Sequence, residues 1–177
     1  MARRGQYGVW PHLDEATHLA IGLDEPEWLT FVGLSRIEAY WLEGSLDAAL
    51  AELDRIRDAS AGVVVLSPGW VPLWARRLTG IAEPIDLEPF ASEIAGDAAH
   101  AAELWDRLAY RYEAALALLD SKDETLLRES LARLSDLGAE VAARLVRQRM
   151  RDLGIRSIPA GARTATKAHP RGLTARE

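Results

Sequence analysis

Cysteine is absent from the 177-residue chain. That excludes a disulfide framework and any thiolate metal centre, and it fits a reducing, cytoplasmic setting. Phenylalanine and methionine are scarce, at two residues each. Long apolar runs are missing too. The longest, GVVVLSPGWVPLW, is broken by Pro68, Gly69 and Pro72, so no membrane span is predicted. The opening MARRGQYGVW carries two arginines with no apolar stretch behind them, so no signal peptide is predicted. Basic charge is thin in the body of the chain. Residues 155–177 hold Arg156, Arg163, Lys167, Arg171 and Arg176 against Glu177 alone, and residues 139–153 hold Arg144, Arg147, Arg149 and Arg151 against Glu140 and Asp152. The acidic excess behind the net charge of −6 therefore lies in the first 138 residues. Such a body repels phosphates and argues against broad nucleic-acid binding.

What is present reads as helix. A hydrophobic content of 49% and a charged content of 27% suit a soluble globular chain with one core or a short stack of helical repeats. Between Pro11 and Leu153 the pattern predicts about nine helices joined by short loops, an all-α fold of antiparallel helix pairs. Asp24 with Pro26 just behind it, then Ser45, Asp97 and Asp123, read as N-terminal caps, and Gly44, Gly96, Gly138 and Gly154 as stops. Residues 25–44 place Trp28, Phe31, Val32, Ile37 and Trp41 at mixed three- and four-residue spacings. Residues 45–59 carry the stripe Leu46, Ala49, Leu50, Leu53 and Ile56. In the first helix Leu13, Ala16, Ala20 and Ile21 are expected to face inward and Leu19 and Leu23 outward. GVVVLS suits a strand by its β-branched run, but a lone strand among helices has no partner, so an interrupted helix or extended linker is expected there.

Candidate chemistry is sparse. Glu15 and His18 form Glu-x-x-His, half of a carboxylate-bridged metal motif that needs a second copy; His100 and Glu103 have the reverse order. No Ser-His-Asp or Cys-His set follows from the spacing, so neither an enzyme nor a resident metal or cofactor is expected. The six tryptophans are the unusual feature. Trp41 and Trp105 read as packing residues. Trp70 and Trp74, at i and i+4, read as a face for a ligand or partner groove, with Arg76 and Arg77 behind them able to receive an anionic group or to lie solvated at a helix end.

Two stretches have the spacing of tetratricopeptide repeats. YWLEGSLDAALAEL supplies Tyr40, Gly44 and Ala49 across a tight inter-helix turn, and WDRLAYRY supplies Trp105, Leu108 and Tyr112, with Ala109 where glycine is usual. The chain from about residue 95 to 177, ending in RQRMRDLGIRSIPAGARTATKAHPRGLTARE, resembles the end of the helical-repeat region and the linker of large LuxR-type, ATPase-associated transcriptional regulators. Residues 10–94 resemble that region more loosely, through AYWLEGSLDAAL. The resemblance implies a short tetratricopeptide-like superhelical array over residues 1–153 and a flexible basic linker over 154–177. It also implies that GLTARE, whose Thr174 and Glu177 form a capping box, opens a helix-turn-helix domain absent from this chain. No phosphate-binding G-x-x-x-x-G-K-[ST] motif is present. The function expected from the resemblance is a non-enzymatic interaction or sensor module that relays binding of a protein partner or small-molecule effector to DNA-binding parts. A sensor with a Trp-lined pocket and an inactive truncated fragment are the alternatives. Sequence-specific DNA binding by the chain alone is not expected, whereas self-association through an apolar N-terminal end is.

Overall fold

The computed structural model describes residues 1–6, 8–23, 25–61 and 68–159. Among these the chain forms nine α-helices and two short 3-10 turns, and no strand. The helices are α1 (Val9–Leu23), α2 (Pro26–Glu43), α3 (Leu46–Ala59), α4 (Trp70–Thr79), α5 (Phe90–Ala95), α6 (Ala98–Arg107), α7 (Arg111–Ala117), α8 (Glu124–Asp136) and α9 (Glu140–Asp152). The 3-10 turns are Ala2–Arg4 and Leu118–Asp120. No described helix is long and apolar enough to cross a membrane. Asp24, the GVVVLS stretch, and the linker with its final capping box all lie outside the described residues.

Local chemistry explains most of the boundaries. The Asp123 side chain accepts from the Thr125 amide at 2.7 Å, and that of Asp97 from the His100 amide at 3.2 Å, so each satisfies a backbone donor that the helix cannot. Ser45 is a correction: it occupies the cap position of α3, but its side chain makes no capping bond. The reversal between α2 and α3 rests instead on Gly44, whose φ of 79° a side chain would resist.

The face that α2 buries also differs from the spacing-based expectation. Its buried residues include Thr30, Gly33, Leu34, Ile37 and Leu42, while Trp28 and Phe31 are 48% and 38% exposed. Gly33 is the reason. A Cβ there would stand 2.1 Å from Ile56 Cγ2, so the bare backbone of α2 admits a branched side chain of α3 directly against it. Small residues recur where helices meet: Ala49, Ala101, Ala114, Ala115, Ala142 and Ala143 are fully buried. Three apolar clusters result, one around α2–α4, one around α4–α7 and one around α7–α9.

Among the described residues each helix packs on the next. Two further contacts close the arrangement. Helix α2 also meets α4, and the 3-10 turn at Ala2–Arg4 touches both α2 and α9. Ala2 and Leu42 pack with the α7–α9 cluster, so residues 2–4 lie against α9. In a simple repeat stack each unit touches only its neighbours, and the contact of the N-terminal 3-10 turn with α9 departs from that pattern.

The second repeat-like stretch, WDRLAYRY, spans two helices, since α6 stops at Arg107 and α7 starts at Arg111. Ala109 adopts a left-handed φ of 63°, and the Tyr110 amide closes the turn by donating to the Trp105 carbonyl. Leu108, expected to pack, is 55% exposed as a result. Near the other end, residues 155–159, the described part of the linker expected to be flexible, make tertiary contacts. Ile155 and Ile158 pack on the α7–α9 cluster, and Arg128 donates to the carbonyls of Arg156 and Ser157 at 3.1 and 3.3 Å. In α1 Ile21 faces solvent, because it follows buried Ala20 by one residue and a helix turns about 100° in that step.

Candidate functional site

A cavity of about 560 Å³ lies where α2, α4 and the α6–α7 turn meet the N-terminal 3-10 turn. That volume is in the range of a small-molecule site. Phe31 and Leu34 of α2, Trp70 and Trp74 of α4, and Tyr110 form its apolar walls. Arg3, Glu38, Tyr112 and Glu113 form its polar end, with Ser35, Ala109 and exposed Arg111 completing the lining.

The aromatic wall is held from behind. Trp70 stacks on Trp105 with ring centroids 5.3 Å apart and meets Phe90 edge-on at 5.0 Å. Trp74 meets Trp41 edge-on at 5.6 Å. Such contacts restrict the indoles to one orientation, so the wall is largely preformed. The spacing of Trp70 and Trp74 thus places two neighbouring side chains in one cavity, although Trp74 itself is 4% exposed and belongs mainly to the core.

Arg76 and Arg77 both line a second cleft of about 440 Å³ that includes Trp41, Leu145 and Arg149. Arg77 is no solvated helix end and is not free to receive an anion, because its side chain is buried and already paired. Its guanidinium contacts Glu93 Oε1 at 2.7 Å and Glu113 Oε2 at 3.2 Å. Glu93 also accepts from Trp105 Nε1 at 2.7 Å. Burial alone would favour loss of the Arg77 proton, but Glu93 and Glu113 outweigh it and hold the guanidinium charged more firmly than usual.

A second guanidinium enters from the N-terminus. Arg3 donates from Nε and Nη2 to the two oxygens of Glu38 at 2.7 and 2.9 Å. Its Nη2 is 3.6 Å from Glu113 Oε1, and its guanidinium carbon is 3.7 Å from the Tyr112 ring centroid. The Tyr112 hydroxyl is buried with no hydrogen-bond partner. Burial, reinforced by Glu38, pushes its proton loss well above the usual phenol range. Burial also raises the pKa of Glu113, Arg77 pulls it back, and Glu38 pushes it up again. The linked set of Glu38, Glu93 and Glu113 against Arg3 and Arg77 therefore carries one carboxylate more than it has guanidiniums.

Of the residues that repeat spacing singled out, Tyr112 lines the cavity, Trp105 supports its wall, and Tyr40, Gly44 and Ala49 belong to the α2–α3 pair. Arg3, Phe31, Glu38, Glu93 and Glu113 were not anticipated. Two of them did leave a signal: Glu93 lies between apolar Phe90 and Ile94, and Glu113 directly precedes the run Ala114–Ala117. A carboxylate set within an apolar stripe needs a buried partner. Among the described residues no group of three or more His, Cys, Asp or Glu side chains is placed to hold a metal ion. No family model, no curated protein and no solved structure matches the chain.

Proposed function

We propose that this chain is a non-catalytic, tetratricopeptide-like helical sensor module of a LuxR-type transcriptional regulator, in which the Trp-lined cavity receives a small-molecule effector. The observation that carries this reading is the preformed aromatic wall of Trp70 and Trp74 facing a charged cluster across about 560 Å³. The same cluster offers a relay. Glu113 lines the cavity, its partner Arg77 lines the second cleft, and that cleft is bounded by Leu145, Gln148 and Arg149 of α9. An effector that changes the Glu113–Arg77 contact acts on the helix leading into the basic C-terminal segment. The chain alone has no reading of DNA sequence in this scheme, since base edges need a reading element on the DNA-binding part.

The test joins the chain to a helix-turn-helix reading head and measures operator affinity with and without a low-molecular-weight cell extract. Ser35 is exposed at the cavity lining, so Ser35→Trp blocks the site without disturbing the core. The expected result is an extract-dependent change in operator affinity of about fivefold or more, lost in Ser35→Trp, a coupling of about 1 kcal/mol. An affinity that ignores the extract, or responds equally in Ser35→Trp, defeats the reading.

Self-association is the second proposal, favoured by Leu19 and Leu23, which lie one turn apart on α1 and are 61% and 59% exposed. Light scattering is expected to show an apparent mass that rises with concentration at moderate salt, and Leu19→Glu to restore the monomer. A monomer at every concentration, unchanged by the substitution, removes this proposal.

A further inference from the structure

Resting on the effector reading above, we propose that the cavity selects an organic cation, a guanidinium or ammonium group on an apolar body, and that Arg3 is its resident competitor. The structure already displays how the site treats such a group. Arg3 brings a guanidinium between two carboxylates, bidentate on Glu38 and 3.6 Å from Glu113, while Tyr112 supplies an aromatic face 3.7 Å away. Paired carboxylates with a π face are the elements that recognise a delocalised cation.

The occupant is weakly anchored on its own side. Arg3 remains 44% exposed and belongs to a three-residue 3-10 turn with no buried residue, whereas Glu38 and Glu113 are 15% and 9% exposed and sit on helices. The carboxylates are fixed and the cation is the replaceable member. Charge favours replacement by another cation over entry of an anion, because Glu38 and Glu113 in the lining are balanced by Arg3 and Arg111, and once Arg3 leaves the carboxylates outnumber the remaining guanidinium. The Arg3 stem ends there, but the open space runs on past Phe31 and Leu34 to Trp70 and Trp74. A free cation carrying an aryl or alkyl tail gains that apolar contact, which Arg3 cannot make.

Displacement has a consequence at a distance. The turn that carries Arg3 also brings Ala2 onto the α7–α9 cluster. Next to it, the Cα of Gly5 approaches α9 so closely that an added Cβ would stand 3.2 Å from Val141 Cγ2. Releasing Arg3 loosens the tie between the first residues and the last helix. The cavity is therefore linked to α9 through the N-terminus as well as through Arg77.

The probes are phenethylguanidinium, the neutral 2-phenylethanol and the anionic 3-phenylpropanoate, followed by tryptophan emission and by calorimetry on the full chain. In Arg3→Ala the competitor is gone, and phenethylguanidinium is expected to bind about tenfold more tightly than to the unmodified chain, or about 1.4 kcal/mol. Adding Glu38→Gln to Arg3→Ala is expected to reverse that gain, with helix content by circular dichroism unchanged in both variants. The proposal is overturned if the alcohol or the carboxylate binds as tightly as the guanidinium, if Arg3→Ala binds no better than the unmodified chain, or if no probe binds Arg3→Ala at millimolar concentration. Preferential binding of the neutral or anionic probe overturns the cation selectivity while leaving a small-molecule sensor in place. An extract-insensitive fusion, in contrast, removes the sensor reading itself.

Discussion

Arg77→Met is expected to destabilise the protein by roughly 3–5 kcal/mol at neutral pH, the usual cost of leaving a buried charge without its partner. The variant keeps the length and apolar bulk of the side chain, so lost packing contributes little. What remains is Glu93, 4% exposed, holding only the Trp105 indole, and Glu113, 9% exposed, with only the distant contact to Arg3. The loss is expected to depend on pH with a definite sign. Burial raises the Glu113 pKa above its ordinary 4.5 in the folded state, and Arg77 is the largest influence opposing that rise. A carboxyl whose folded pKa is raised favours folding below its unfolded pKa, and that contribution disappears as pH climbs through the folded value. Without Arg77 the folded value moves further up, so the penalty at neutral pH grows and is relieved as the solution is acidified toward 4.5. Urea unfolding of both proteins between pH 7 and pH 5 measures this. A deficit below 1 kcal/mol, or one that widens on acidification, would contradict the buried-pair description.

Gly33→Ala is expected to cost about 2 kcal/mol, although alanine is the better helix former. The added methyl would stand 2.1 Å from Ile56 Cγ2, an atom on a branched, fully buried side chain, and 3.2 Å from Glu52 Oε1. Ile56 cannot rotate away cheaply, because its Cβ carries two heavy atoms and its surroundings are packed. Overpacking of this kind costs about 1–3 kcal/mol, against which the helix-propensity gain of up to about 1 kcal/mol is smaller. Two further variants separate the contributions. Gly22→Ala, also in a helix but with open space around it, is expected to be neutral or stabilising. Ile56→Ala in the Gly33→Ala background is expected to lose less stability than the two single changes added together. Denaturation midpoints that show equal effects at Gly22 and Gly33 would mean that α2 and α3 do not approach as closely as described.

Both predictions depend on contacts between helices, and that is where the legibility of the sequence ends. Of the stripe Leu46, Ala49, Leu50, Leu53 and Ile56 of α3, Ala49, Leu53 and Ile56 are buried and Leu50 partly so, whereas Leu46 is 46% exposed. Asp97 and Asp123 could be read as caps and Gly44 as a stop, because each acts on backbone groups within four residues of itself. The face of α2 was legible only in part, at Ile37 and Trp41. Trp28 and Phe31 have the apolarity of core residues, yet the helix turns a glycine inward and leaves both of them largely outside. Nothing within α2 states that Ile56 fills the place a side chain would have taken.

The candidate site divides the same way. The i, i+4 spacing of Trp70 and Trp74 was enough to put two indoles on neighbouring turns of one helix, since a helix repeats every 3.6 residues. That they border a cavity depended on where α2 and the α6–α7 turn came to rest. Arg77 looked like one more arginine near a helix end, because its partners Glu93 and Glu113 stand 16 and 36 residues further on. Arg3 pairs with Glu38 across 35 residues. The sequence by itself determined the helices, the Asp97 and Asp123 caps and the inward placement of Ala49, Leu53 and Ile56 on α3, all of which follow from interactions within one or two turns. Only the tertiary structure decided which charges became buried pairs, which aromatics bound a cavity and that the N-terminus lies against α9. Those outcomes depend on which helix faces approach closely enough to exclude water, a property of no single segment.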